Sequence, residues 1–228
     1  MLGLFVIYGR AYWHPLYVKA VGKRTVSDVV NIYGEQARSR IKPYFEKANI
    51  SYPPKDVTFL AMKDTDLLEV WASNGDSWVQ VKDYNIQAAS GRLGPKLREG
   101  DRQVPEGIYK VIGLNPNSSY HLSMKLNYPN KFDLSWAQKE NRTQPGSNIF
   151  IHGKALSIGC LAMGDEAIEE LFVLGNDVGI SNIKVIITPT DPRAGKLIPP
   201  TESKPWVKEL YQDIESAFEP YKVNITRN

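Results

Sequence analysis

What this chain can fold into is limited most by a change of texture at Ser51-Tyr52-Pro53-Pro54, a double-proline stop. Upstream of it, Val29, Val30, Tyr33, Ala37 and Ile41 recur at helical spacing behind Ser27, which reads as their N-cap. Pro43 is expected to break or kink that helix, with Tyr44-Phe45 adding one more turn. Downstream come short β-branched or aromatic runs divided by Asp, Asn and Gly: Val57 to Met62, Leu67 to Ala72 and Trp78 to Val81. Asn74-Gly75 reads as a hairpin turn between the second and third runs. The pattern is that of a β-rich body preceded by a helical segment.

Residues 87–106 are rich in Gly, Pro and charge and read as a loop before a strand at Ile108 to Leu114. His121 to Leu126 alternates like another strand. From Asn127 to Asn148 the chain is polar and carries Pro129, Pro145 and Gly146, so it reads as a long loop of the kind that covers a site. Ile149 to His152 is a short apolar strand with His152 at its end. Asp165 reads as the N-cap of a helix burying Ile168, Leu171 and Phe172, and Ile183 to Ile187 as a buried strand. From Ser203 onward, Trp206, Leu210, Ile214 and Phe218 form the stripe of a helix that should pack on the body. The expected division is 1–54 as an N-terminal helical segment, 55–192 as the β-rich body, and 193–228 as a C-terminal linker and docked helix.

The apolar share of 42% in 228 residues supplies a core without staples. Its single cysteine excludes an internal disulfide and any cysteine-based metal cluster. His14, His121 and His152 lack ligand spacing, so neither metal nor cofactor is expected. A net charge of +3, with Lys and Arg dispersed, gives no reason to expect a nucleic-acid partner. Met1 to Arg10 is apolar but too short to span a bilayer, and it lacks the charged region and cleavage site of a secretory signal. It reads either as a buried or frayed terminus or as the remnant of an export signal.

Candidate chemistry concentrates in Ile149-Phe150-Ile151-His152-Gly153-Lys154-Ala155-Leu156-Ser157-Ile158-Gly159-Cys160. A thiol, a candidate base and two glycines are what a cysteine nucleophile needs: the thiolate attacks, imidazole moves the proton, and backbone N–H groups receive an oxyanion. A lone cysteine is also commonly a small buried hydrophobe, and both readings stand on these residues alone. Order narrows the class, because papain-like proteases place the cysteine before its histidine and here the histidine comes first.

His152-Gly153 followed by Ser157-Ile158-Gly159-Cys160 resembles the signature of the YkuD-type L,D-transpeptidases, in which a His-Gly pair precedes a [Ser/Thr]-x-Gly-Cys box. The chain is most similar to the YafK-type murein branch. Strings that carry this are Gly94-Pro95-Lys96-Leu97-Arg98-Glu99-Gly100-Asp101, Val104-Pro105-Glu106-Gly107-Ile108-Tyr109, Leu114-Asn115-Pro116-Asn117-Ser118-Ser119-Tyr120-His121-Leu122-Ser123 and Lys125-Leu126-Asn127-Tyr128-Pro129-Asn130. The resemblance spans roughly Thr25 to Pro189 and is strongest from Gly91 to Met163. It departs from the wider family in the eight-residue spacing of His152 and Cys160, which is shorter than usual. It also carries Ile158 where many relatives have His or Lys, so oxyanion help would have to come from the backbone.

The resemblance implies an α+β fold: a β-rich YkuD-like catalytic domain with N-terminal and C-terminal helical additions. It implies that Cys160 and His152 form a thiolate–imidazolium pair, that the Gly153 carbonyl orients the histidine, and that the Gly159 and Cys160 N–H groups hold the oxyanion. Ser157 would bond the turn presenting Cys160, and His121, Asn127 and Tyr128 would line the substrate cleft. Their plainer readings are a bonded strand histidine for His121 and turn chemistry for Asn127 and Tyr128. Lys96 and Arg98 could meet stem carboxylates but read more simply as solvated charge. The implied activity is cysteine-dependent L,D-transpeptidation of peptidoglycan stem peptides through a diaminopimelyl thioester, in the periplasm or cell envelope. The alternatives are hydrolysis of the same bonds, including release of a wall-linked lipoprotein, and a non-catalytic wall-binding module.

Overall fold

A computed structural model describes residues 18–19, 22–75 and 77–222. His14 and the apolar stretch Met1 to Arg10 lie outside them. The first long helix, α1 (Val26–Lys47), is capped two residues earlier than Ser27 suggests, because Thr25 is the cap. Thr25 Oγ1 accepts the Asp28 N–H at 3.1 Å while Asp28 Oδ2 accepts the Thr25 N–H at 2.7 Å, a reciprocal capping box. Pro43 does not end the helix. It removes one backbone donor, but Val29, Ala37, Ile41 and Phe45 are all fully buried and hold the helix to the core on both sides of it.

Among the described residues nine strands form one sheet: β1 (Asp56–Met62), β2 (Leu67–Ser73), β3 (Val79–Asn85), β4 (Ala88–Ala89), β5 (Gly107–Asn115), β6 (Ser123–Leu126), β7 (Phe150–His152), β8 (Leu161–Ala162) and β9 (Ile183–Thr188). Their order is β3-β2-β1-β9-β5-β6-β7-β8-β4. The β1–β9 and β7–β8 pairs are parallel; the others are antiparallel. β1 sits deep in the sheet and is buried on both faces. Val57, Phe59 and Ala61 join one core cluster, while Leu60 and Met62 join the other. The first cluster lies under α1 and α3 (Asp165–Val178), and the second under α4 (Val207–Phe218). The α4 stripe packs as its spacing predicts, burying Leu210, Tyr211, Ile214 and Phe218 beside Trp71 and Ile186.

Several expectations need correcting. The polar stretch from Asn127 to Asn148 is not a continuous loop, because it holds a helix, α2 (Lys131–Lys139), capped by Asn130 and Asp133 in a second capping box. Segment 87–106 contains β4, and β8 follows Cys160 directly; two-residue strands carry no readable period. β3 runs on to Asn85, well past Val81. His121 precedes strand β6 in a left-handed turn with φ +75° instead of lying in the strand. The N-cap of α3 is Gly164, with Asp165 as the first helical residue. Among the described residues no helix is long and apolar enough to cross a membrane.

Candidate active site

The two residues singled out by sequence arrive on neighbouring strands. His152 ends β7, and Cys160 immediately precedes β8. The parallel register pairs Ile151 with Leu161 and His152 with Ala162. Cys160 thus enters β8 beside the strand that ends in His152. β6 flanks β7 on its other side, pairing Ser123 with His152. This packing leaves His152 only 3% exposed.

His152 is oriented as expected: its Nδ1–H donates to the Gly153 carbonyl at 2.6 Å, which leaves the Nε2 lone pair free. Tyr120 covers the imidazole, with ring centroids 4.7 Å apart. Gly153 cannot carry a side chain here. A Cβ would stand 2.7 Å from the Tyr120 carbonyl oxygen, 2.8 Å from Asp165 Oδ1 and 3.0 Å from Ile168 Cγ2. The next residue, Lys154, donates its N–H to Asp165 Oδ1 at 3.0 Å and pairs its ammonium with the same carboxylate. The segment after the histidine is thereby tied to the first residue of α3.

Cys160 is presented by a turn organised on one hydroxyl. Ser157 Oγ accepts the N–H groups of Gly159 at 3.2 Å and Cys160 at 3.1 Å, and donates to the Cys160 carbonyl at 2.6 Å. Gly159 has φ +121°, and a Cβ there would meet the Gln103 carbonyl oxygen at 3.4 Å, so a larger residue would be strained. Ser157 thus has the turn-holding role expected of it. The two N–H groups assigned to the oxyanion are, however, bonded to Ser157 Oγ in this structure. A serine hydroxyl three residues ahead is within reach of both, as at a helix N-cap.

Burial works against charge separation. It pushes the Cys160 thiol up, an effect opposed by the Phe150 backbone N–H and the charge of Lys96. It pulls His152 down, and the Gly153 hydrogen bond opposes that. Both directions oppose charge separation between thiol and imidazole. The sulfur lies 3.9 Å from the Asn148 carbonyl oxygen.

The other predicted site residues have well-defined structural partners. His121 Nε2 meets Glu169 Oε1 at 2.9 Å, and its ring takes the edge of Tyr33. Asn127 Oδ1 accepts the Lys110 N–H at 2.8 Å, completing the β5–β6 ladder beside its bulge. Tyr128 is buried and donates to the Pro145 carbonyl at 2.8 Å, holding the segment that leads to Asn148. Arg98 is exposed, but Lys96 is only 6% exposed, so it is not the solvated charge its sequence suggests. Two residues escaped the sequence reading: Tyr120, whose stacking on His152 crosses from one strand connection to another, and Asp101, the partner of Lys96.

The L,D-transpeptidase catalytic domain model of the YkuD family matches residues 57–187. The chain belongs to that family. Its β-rich α+β fold is accordingly the YkuD-like one, and helices α1 and α4 lie outside the matched segment. YafK of Escherichia coli K12, a provisionally assigned L,D-transpeptidase, is 35% identical over 112 residues, covering 48% of this chain and 43% of YafK. YafK of Escherichia coli O157:H7 matches identically. The chain therefore spans less than half the length of these curated relatives. Among solved structures, it is similar to the helical cell shape determining protein Pgp2 from Campylobacter jejuni, with 22% identity, a TM-score of 0.48, and coverage of 66% of this chain and 55% of Pgp2. It is also similar to Bd1075 of Bdellovibrio bacteriovorus, with 21% identity, a TM-score of 0.43, and coverage of 75% and 59%.

Proposed function

We propose that this YkuD-family chain is a cysteine-dependent L,D-transpeptidase acting on peptidoglycan stem peptides in the periplasm or cell envelope. The observation that carries the reading is the Nδ1–H bond from His152 to Gly153. It leaves the Nε2 lone pair available at the end of β7, the strand that pairs with the β8 strand Cys160 precedes.

In this mechanism the thiol proton passes to His152 Nε2 as sulfur attacks the diaminopimelate carbonyl of the stem. The oxyanion forms beside the Gly159 and Cys160 N–H groups, which exchange Ser157 Oγ for it. Collapse expels D-alanine, whose amine takes the proton from the imidazolium, and leaves a thioester. An acceptor amine then attacks the thioester, giving its proton to His152 and restoring the thiol. Water in place of the amine would give hydrolysis, including release of a lipoprotein joined to the wall through diaminopimelate.

The test incubates the protein and Cys160→Ala with disaccharide-tetrapeptide, and separately with sacculi carrying bound lipoprotein, and reads products by mass spectrometry. Cys160-dependent 3–3 linked dimers are expected. Loss of D-alanine or lipoprotein remnant without dimers would assign hydrolysis. Identical products from both proteins would overturn the catalytic reading in favour of a wall-binding module.

A further inference from the structure

The Gly91–Gln103 segment forms a wall beside the Ser157–Cys160 turn. Ser90 Oγ, at its root, lies 3.4 Å from Ser157 Oγ, and a Cβ on Gly159 would meet the Gln103 carbonyl oxygen at 3.4 Å. The wall contains neither helix nor strand, so ordering it in one position carries a conformational cost that its bonds must offset. Its internal bonds gather on Gln103, whose side-chain amide donates to the carbonyls of Arg92 and Gly94 at 2.5 and 2.6 Å and accepts the Arg92 N–H at 2.9 Å.

Support from outside the wall comes along two paths, and both lead to α4. Glu106, just past the wall, is fully buried. Its Oε1 accepts the Gly94 N–H at 2.6 Å and the Lys63 ammonium at 2.9 Å, and its Oε2 accepts the Tyr211 hydroxyl of α4 at 2.8 Å. Lys63 gives its other two donors to the carbonyls of Gly94 at 3.0 Å and Val104 at 3.1 Å, near the two ends of the wall. The second path starts at Trp206, the N-cap of α4. Its indole N–H donates to Glu140 Oε1 at 3.0 Å, Arg142 Nε donates to Glu140 Oε2 at 2.7 Å, and Arg142 Nη1 donates to the Leu97 carbonyl at 2.7 Å. Stability alone does not call for a buried ion pair such as Lys63–Glu106, because apolar side chains of similar volume often serve as well. Its charged, directional bonds do fix where Gly94 and Val104 stand.

We propose that α4, which lies outside the matched catalytic segment, is a working part of the site. Tyr211 and Trp206 are its positioning residues: acting through Glu106 and through Glu140 and Arg142, they hold the wall against the Ser157–Cys160 turn. The inference rests on Cys160 being the nucleophile, but its test reads the wall and the thiol without a substrate.

Three variants separate positioning from mere stability. Tyr211→Phe deletes one hydroxyl and keeps the ring, and Trp206→Phe deletes the indole donor. Ile214→Val trims the buried face of the same helix and leaves both paths intact. Amide hydrogen exchange is read by mass spectrometry over 91–104, 153–160, α4, β1 and β9, and iodoacetamide alkylation of Cys160 is timed at one pH. Loss of a hydrogen bond to a buried carboxylate should speed exchange through local opening by about tenfold. That rise is expected over 91–104 in Tyr211→Phe, with faster exchange over 153–160, faster alkylation, and β1 and β9 at wild-type rates. Trp206→Phe should give the same pattern. Ile214→Val should speed exchange in α4 and leave wall and thiol as they were. On disaccharide-tetrapeptide, Tyr211→Phe should lower kcat while KM holds.

Wild-type exchange over 91–104 or 153–160 in Tyr211→Phe overturns the inference. So do an unchanged alkylation rate, an unchanged kcat, or equal effects of Tyr211→Phe and Ile214→Val, which would mark general loosening of the fold. Should Tyr211→Phe fail to fold, Trp206→Phe decides by the same criteria. A protein with the predicted exchange and alkylation that processes no stem peptide keeps this inference and loses the substrate. One that processes stem peptides while Tyr211→Phe leaves wall and thiol unchanged keeps the proposed function and loses the inference.

Discussion

Replacing Ser157 by Ala is the most direct probe of how Cys160 is held. The change deletes one oxygen that accepts two N–H groups, at 3.2 and 3.1 Å, and donates to the Cys160 carbonyl at 2.6 Å. Neutral hydrogen bonds contribute about 0.5–1.5 kcal/mol each, and a buried donor left unpaired costs more. Gly159 is buried and water cannot readily replace the oxygen there, whereas Cys160 is half-buried and its N–H can be rehydrated. The expected loss is about 2 kcal/mol, less than three full bonds plus two orphaned donors. With a urea slope of about 2–3 kcal/mol per molar, the unfolding midpoint should fall by about 0.7–1 M.

Buried Trp71 and Trp206 supply the fluorescence signal for that titration. Ser157→Thr keeps the oxygen and should retain most of the stability. The turn joins β7 to β8 and leans on the Gly91–Gln103 wall, so its energy belongs to the folded sheet as a whole. A loss in Ser157→Ala below about 0.5 kcal/mol, or an equal loss in Ser157→Thr, would refute the claim that this hydroxyl organises the turn.

Two further outcomes follow from the geometry. Gly153→Ala drives a Cβ to 2.7 Å from the Tyr120 backbone oxygen, so overpacking of about 1–3 kcal/mol should lower the melting temperature by at least about 2 °C. It should also reduce turnover, by displacing the carbonyl that holds His152; a melting point and rate equal to wild type would contradict the contact. Asp133 is raised to about 6 by burial, against the Asn130 backbone bond that lowers it. Between pH 4 and 6 the folded state holds a proton that the unfolded state has released, so this group's contribution to stability falls as pH rises. Asp133→Asn should cancel that fall, gaining up to about 2–3 kcal/mol relative to wild type from pH 4 to pH 7 in urea titrations. A constant difference between the two proteins across that range would count against it.

What the sequence made legible follows from how locally each feature is encoded. The longer strands β1, β2, β5 and β9 are dense in β-branched and aromatic residues, and their pattern survives into the sheet. The helix α2 was hidden because its segment is polar and flanked by prolines. Its signals were the i,i+4 pair Phe132 and Trp136 and the Asn130–Asp133 capping box. The same kind of box, Thr25 with Asp28, sets the start of α1 two residues before the obvious serine. Strands β4 and β8 are too short for any period, yet β8 is what brings Cys160 beside β7.

The candidate site divides along the same line. How the candidate pair is held was readable, because His152 is oriented by its own neighbour's carbonyl and Cys160 by a serine three residues away. How easily the pair gives up or takes a proton was not readable, because that depends on partners far along the chain. Tyr120 lies thirty-two residues before the histidine it covers. A turn tyrosine looks ordinary until the sheet folds it over the imidazole. The motif therefore points to the candidate pair, while the surrounding fold sets the electrostatics around it. Variants of Ser157 should accordingly move the placement of Cys160.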